Sequence, residues 1–231
     1  MLTPAIIDLV VMEMCQHLAQ IKHFEIDRHN PERDFLYHLA VCILGTQTRY
    51  EVAVTFADTL VNCDLLTVKT IVRYGDAYEE QLALVFSRSV GFPNVQCLRF
   101  KNRSAKQLAA ALRICGEQGR FIDVMREISD PQCIRKWLVD HVDGLGPKQA
   151  SLFLRRIGYS NDLAVIDRHI MNYLNLVEDY KFPYSKLSRL SGYIQVEERF
   201  RAKASQFQQP VGVFDLAVWI TMRVVGCKLS I

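Results

Sequence analysis

The chain has no CxxC pair and no close set of cysteine, histidine and acidic residues, which excludes a zinc ribbon or iron–sulfur cluster as its organising element. Its seven cysteines (15, 42, 63, 97, 115, 133 and 227) are scattered and odd in number, the usage expected of reduced thiols inside a cell. No apolar run is long enough to cross a bilayer: the uncharged stretch Phe35–Thr48 stops short of a span. The opening MLTPAIIDLVVMEMC is broken by Asp8 and Glu13, and Thr3-Pro4 supplies an N-cap and first helical position. An amphipathic helix is therefore expected there, not a signal peptide or membrane anchor. A cytoplasmic protein is expected, nucleoid-associated in a prokaryote. Repeats, low-complexity tracts and long linkers are missing too. Charge of one sign is also scarce: 28 basic against 25 acidic residues leave a formal +3, which permits nucleic-acid binding without arguing for it.

Alternating strand patterns are absent except for Leu163–Ile166, which reads equally well as a buried approach to a helix. What is present is helical periodicity. It predicts helices over 4–21, 34–45 (after a turn at 29–34), 48–61, 64–74, 77–88, 95–101, 103–117, 131–141, 147–157, 167–176, 184–208 and 210–226. The fold class is all-α. At 231 residues it is one domain or two closely packed lobes, with enough chain for a substantial core.

The segment VDGLGPKQASLFLRRIGYSNDLAVIDRHI carries the chemistry. Gly144 and Gly146 suit a tight hairpin, and Pro147 opens the next helix without needing an N–H. Such a turn gathers free amides at a helix N-terminus, a cradle for phosphate; alone, the pattern also fits a plain helix–turn–helix corner. Lys148 lies in the first turn, where the helix dipole disfavours a positive charge. That suits an amine forming a Schiff base, although a phosphate-contacting lysine fits as well. Asp167 follows the lysine by 19 positions (167 − 148). A carboxylate there caps the next helix, and it can also stabilise an oxocarbenium-like sugar and accept a proton from an attacking amine.

With VDGLGPKQA and LAVIDRHI in this order, the chain resembles the helix-hairpin-helix DNA glycosylase superfamily, and within it the archaeal-type 8-oxoguanine DNA glycosylase/AP lyases. CILGTQT at 42–48, VGFPNVQCLRF at 90–100 and FDLAVW at 214–219 carry the likeness across most of the chain from about residue 35. The resemblance implies two helical lobes flanking a DNA-binding cleft within a single catalytic domain, 1–231. The central lobe would span about 31–157 with the hairpin at 142–146, and the second lobe 1–30 and 158–231. It implies Lys148 as the Schiff-base lysine and Asp167 as the catalytic aspartate. Asp215 and Trp219 would stand near the base pocket, and Gln47 near the gap left by the flipped nucleotide. The class commonly ends in a lysine that helps read the oxidised guanine. Here Ser230 stands near that place and the sequence given ends in Ile231, which puts the preferred base in question.

The remaining candidates keep two readings each. Trp219 is a core residue or an aromatic wall for a flipped base. Asp215, inside an apolar run, pairs locally or reads donors on a base edge. The basic runs containing Arg99, Lys101, Arg103 and Lys106, and Arg155-Arg156, face solvent or follow phosphates along with Gly144, Leu145 and Gly146. His141 and His169 read as structural. No organic cofactor and no metal site are expected. The expected partner is double-stranded DNA containing a damaged or modified base, bound by a monomer. The leading expectation is a bifunctional glycosylase/lyase acting on 8-oxoguanine. The alternatives are a glycosylase for another damaged or bulky modified base, such as those of phage DNA, in a defence role, and a non-catalytic hairpin DNA-binding module.

Overall fold

A computed structural model of the chain describes residues 3–18, 31–88, 97–116 and 127–229, with backbone alone for 31–32, 115–116 and 226–229. The Gly91-Phe92-Pro93-Asn94 turn and the positions Ser230 and Ile231 lie outside them. The helices are α1 Pro4–Leu18, α2 Pro31–Leu44, α3 Tyr50–Asn62, α4 Val68–Tyr74, α5 Tyr78–Phe86 and α6 Lys101–Gly116. They continue with α7 Pro131–His141, α8 Pro147–Arg156, α9 Arg168–Glu178, α10 Leu190–Gln206 and α11 Val211–Leu229. No strand occurs among the described residues, and the all-α expectation holds.

Local chemistry moves several boundaries. Pro31 begins α2, so PERD lies within the helix and not in a turn before it. Thr67 caps α4 by accepting from the Thr70 amide at 3.2 Å, which starts that helix at 68 and not at 64. The expected helix over 184–208 divides into a 3₁₀ turn, Tyr184–Ser188, and α10, because Arg189 between them is extended (φ −98°, ψ 135°). Residues 97–100 form a bend and turn before α6, not the end of a separate helix.

The chain forms two compact units, Glu25–Leu145 and Met1–Phe24 with Gly146–Ile231. The boundary therefore falls inside the hairpin, and α8, expected with the central lobe, packs with the second unit. The reason is a tether within that unit: Arg155 at the end of α8 is bonded to Asp215 of α11.

In the first unit, α2 buries Phe35, Leu36, Leu39, Ala40 and Ile43, a helical stripe packed against α3 and α6. Phe56 of α3 meets Phe86 of α5 edge to face, with centroids 5.8 Å apart. The uncharged run is thus mostly core as far as Leu44, and no described helix is long and apolar enough to cross a membrane.

In the second unit, Ile7, Val11, Cys15 and Leu18 form the buried stripe of α1. They share one core with Ile170 and Leu174 of α9, Val196 and Phe200 of α10, and Phe214 and Val218 of α11. Leu163–Ile166 crosses this core without pairing as a strand, so side chains must satisfy its backbone. Ala164 N–H donates to Glu197 (2.9 Å), Val165 N–H to Asp215 (2.5 Å) and Ile166 N–H to the Tyr193 hydroxyl (2.8 Å). The same hydroxyl donates to the Ala164 carbonyl at 2.8 Å. The expected buried approach to a helix is what the segment forms.

Candidate active site

The hairpin ends α7 and opens α8. Gly144 has φ +92°, and a Cβ there would lie 3.1 Å from Ile43 Cγ2 and 3.3 Å from Gln107 Cβ. Both torsion and space require glycine. Gly144→Ala is expected to lower stability by about 1–3 kcal/mol, measured as a fall in Tm. Gly146 differs: its φ of −74° suits any residue, and a Cβ would meet nothing within 4 Å. Gly146→Ala should therefore lower Tm less than Gly144→Ala, losing only the preference of the N-cap position for glycine over alanine. Leu145 is buried and its amide donates to Val142 O at 3.1 Å. Its side chain anchors the turn from inside, which leaves backbone at 144 and 146 and the exposed Asp143 side chain facing outward.

Gly146 is the N-cap of α8 and Pro147 its first residue, with no side chain capping the turn. The amides of Lys148 and Gln149 are thus among the N–H groups that lack an intrahelical acceptor. Lys148 is half-buried. Next to it Gln149 is only 8 % exposed, and its Oε1 finds no hydrogen-bond partner among the described residues. A buried, unsatisfied amide oxygen beside the candidate nucleophile is a signal that sequence reasoning missed.

Asp167 is the N-cap of α9, where Oδ1 accepts from His169 N–H (2.7 Å) and Ile170 N–H (3.1 Å). The capping reading is realised, and the carboxylate stays partly exposed at the mouth of the helix. Asp215 is 2 % exposed, and its Oδ2 accepts from Arg155 Nη1 at 2.8 Å as well as from Val165 N–H. Of the two readings for Asp215, local pairing is the one the geometry realises. Burial pushes its carboxyl above the usual carboxylate range and the negative charge of Asp167 pushes the same way, while Arg155 and the Val165 amide oppose them. Arg155 is correspondingly not part of a free basic patch: its side chain is 20 % exposed and held by Asp215.

Trp219 is half-buried, not core. Its ring meets His169 edge to face at 6.2 Å, and the Arg223 guanidinium lies 4.8 Å over it. His169, read as structural, thus joins Trp219 to the start of α9. His141 fits that reading, stacked on Trp137 at 4.8 Å. The second unit therefore brings Asp167, Asp215 and Trp219 together around one helix start. Lys148 opens α8, whose other end holds Asp215.

Gln47, Lys101 and Arg103 belong to the first unit. Gln47 is exposed with φ +58°, an uncommon torsion for a residue with a side chain, in the turn after α2. Lys101 opens α6 half-buried, and Arg103, two residues on, is exposed. Neither forms an ion pair with another described residue.

A fold of this kind is shared with solved DNA glycosylases. The crystal structure of the Methanocaldococcus jannaschii 8-oxoguanine glycosylase/lyase with a 15-mer DNA containing 8-oxoguanine superposes with a TM-score of 0.61 at 21% identity, covering 93% of this chain and 88% of that one. In sequence, the 8-oxoguanine DNA glycosylase/AP lyase of Metallosphaera sedula is 30% identical over 203 residues, 87% of this chain and 88% of that protein. The Fusobacterium nucleatum protein of the same name is 28% identical over 92% of both. The family model for 8-oxoguanine DNA glycosylase matches residues 17–209. The chain belongs to the helix-hairpin-helix 8-oxoguanine DNA glycosylase family.

Proposed function

We propose that the protein is a bifunctional DNA glycosylase/AP lyase that extrudes and excises 8-oxoguanine from duplex DNA. The neutral amine of Lys148 attacks C1′ of the deoxyribose, and the bond to the base breaks as the base leaves. Opening of the sugar gives an imine between Lys148 and C1′, and β-elimination then breaks the C3′–O bond. Asp167 stabilises the cationic sugar and takes up a proton from the amine. The amides of Gly146 and Lys148 at the start of α8 contact a phosphate, with Lys101 and Arg103 on the flanking backbone. Trp219 walls the base, and Gln47 enters the space the base vacates.

The observation that carries this reading is that the required amine and carboxylate open two successive helices of one compact unit, in a chain of this family.

The test exploits the double role of Asp167. Asparagine caps a helix about as well as aspartate, so Asp167→Asn keeps the bonds to His169 and Ile170 and loses only the charge. Single-turnover excision from an 8-oxoguanine duplex is expected to slow by about 10²–10³-fold, with Tm unchanged. Wild type should give a borohydride-trapped adduct on that duplex and little on other modified bases in the same panel. Excision at the wild-type rate by Asp167→Asn, or a preference for another base, would contradict the proposal.

A further inference from the structure

Asp167 caps α9, and the middle of that helix with the segment after it lines an open cavity of about 280 Å³. Met171, Asn172, Asn175, Tyr180, Phe182 and Tyr184 line it; Lys148, Asp215 and Trp219 do not. The volume lies just under the range of pockets for elongated small molecules, about 300–1,000 Å³, so it suits a single ring system.

Aromatic rings supply much of the wall. Tyr180 and Phe182 stand nearly parallel, 12° apart with centroids separated by 6.0 Å. Lys186 lies 5.9 Å from the Phe182 centroid, and Arg199 5.7 Å from that of Tyr180. The run Tyr180-Lys181-Phe182-Pro183-Tyr184-Ser185-Lys186 holds three rings and two cations in seven residues. Around the cavity Arg199 is paired with Glu178 and Lys181 with Asp179. Lys186 and Arg168 form no ion pair with another described residue, so the balance left at the rim is positive.

Polar groups give the pocket an edge to read. The Tyr184 hydroxyl donates to Asn172 Oδ1 at 3.1 Å, which leaves the Asn172 NH₂ free to donate to a ligand. Partial burial and the charge of Asp167 keep that hydroxyl protonated, against Arg168. Exposed Asn175 adds a second amide at the wall. Ring faces, amide donors and an unmatched cation together fit a flat heterocycle attached to an anion, which is a nucleotide.

We propose that this cavity holds an unstacked nucleotide of a single-stranded DNA segment, its base against the rings of Tyr180, Phe182 and Tyr184 and its phosphate at Lys186. The choice of DNA rests on the function proposed above; the pocket itself is separate from the excision chemistry.

The probe is a labelled oligothymidylate of about six nucleotides, titrated by fluorescence anisotropy into the full-length Lys148→Gln protein. Tyr184 is 51 % exposed, so its replacement is compatible with the fold. Adding Tyr184→Ala should weaken oligothymidylate binding about five- to a hundredfold, while Tyr184→Phe keeps most of it and affinity for undamaged duplex is unchanged. Equal oligothymidylate binding with and without Tyr184→Ala would overturn the proposal, as would an equal loss of duplex binding. So would thymidine monophosphate binding as tightly as the strand, which marks a free-nucleotide pocket. No excision is measured, so a negative result here leaves the roles of Lys148 and Asp167 standing.

Discussion

Lys148→Gln is expected to give no borohydride-trapped adduct on an 8-oxoguanine duplex and to slow base release by up to about a millionfold, the scale seen when a covalent nucleophile is removed. A carboxamide nitrogen has its lone pair delocalised and cannot form the imine. Glutamine is nearly as long as lysine and the position is half-buried, so the packing of α8 should survive. The candidate phosphate contacts at the turn are backbone amides, which the substitution leaves in place. Duplex affinity should accordingly stay within a few-fold, and the variant should bind damaged DNA without processing it. A persisting adduct would place the nucleophile on another amine. Lost binding with no adduct would instead make Lys148 a phosphate contact, the second reading the sequence left open.

How much of this could be read from the sequence varies with the range of the interaction. Pro147, Gly144 and the Asp167 cap act within a few residues, and periodicity with capping chemistry located them. The left-handed torsion at Gly144 was legible for the same reason, whereas Gly146 misled: glycine at a turn does not reveal whether torsion, space or a ligand demands it. Long-range pairing was not legible. Arg155 reads as half of a surface dibasic pair, yet its partner is 60 positions away. Leu163–Ile166 reads equally as a strand or a buried approach to a helix because nothing local shows that Tyr193, Glu197 and Asp215 supply its hydrogen bonds. The rings and lysines of 180–186 drew no reading from the sequence, because only the fold turns them toward Asn172 and Asn175. Hairpin, lysine and aspartate together identified the family because each constrains its own helix start, a local property.

Asp215→Ala should be the most damaging change to the fold. One carboxylate oxygen holds the guanidinium at the end of α8 and the backbone two residues before Asp167, from a position on α11. Removing it leaves Arg155, 20 % exposed, and the buried Val165 amide without that acceptor. Breaking a buried ion pair from one side costs about 3–5 kcal/mol, and at about 2–4 °C per kcal/mol for a chain this size Tm should fall by roughly 6–20 °C. Asparagine separates charge from hydrogen bonding. Its carbonyl can still accept from both donors, and burial together with Asp167 offsets part of what the charge contributes. Asp215→Asn should therefore lose less than half of what alanine loses. The pH dependence has a fixed sign: with the folded pKa raised, the contribution of the protonated carboxyl is fully present below about pH 3.9 and fades as pH rises through the folded value. Thermal melts of wild type, Asp215→Ala and Asp215→Asn across that range measure all three. Equal losses for alanine and asparagine would mean that the negative charge on Asp215, and not its acceptor geometry, holds the lysine-bearing helix and the Asp167 segment in place.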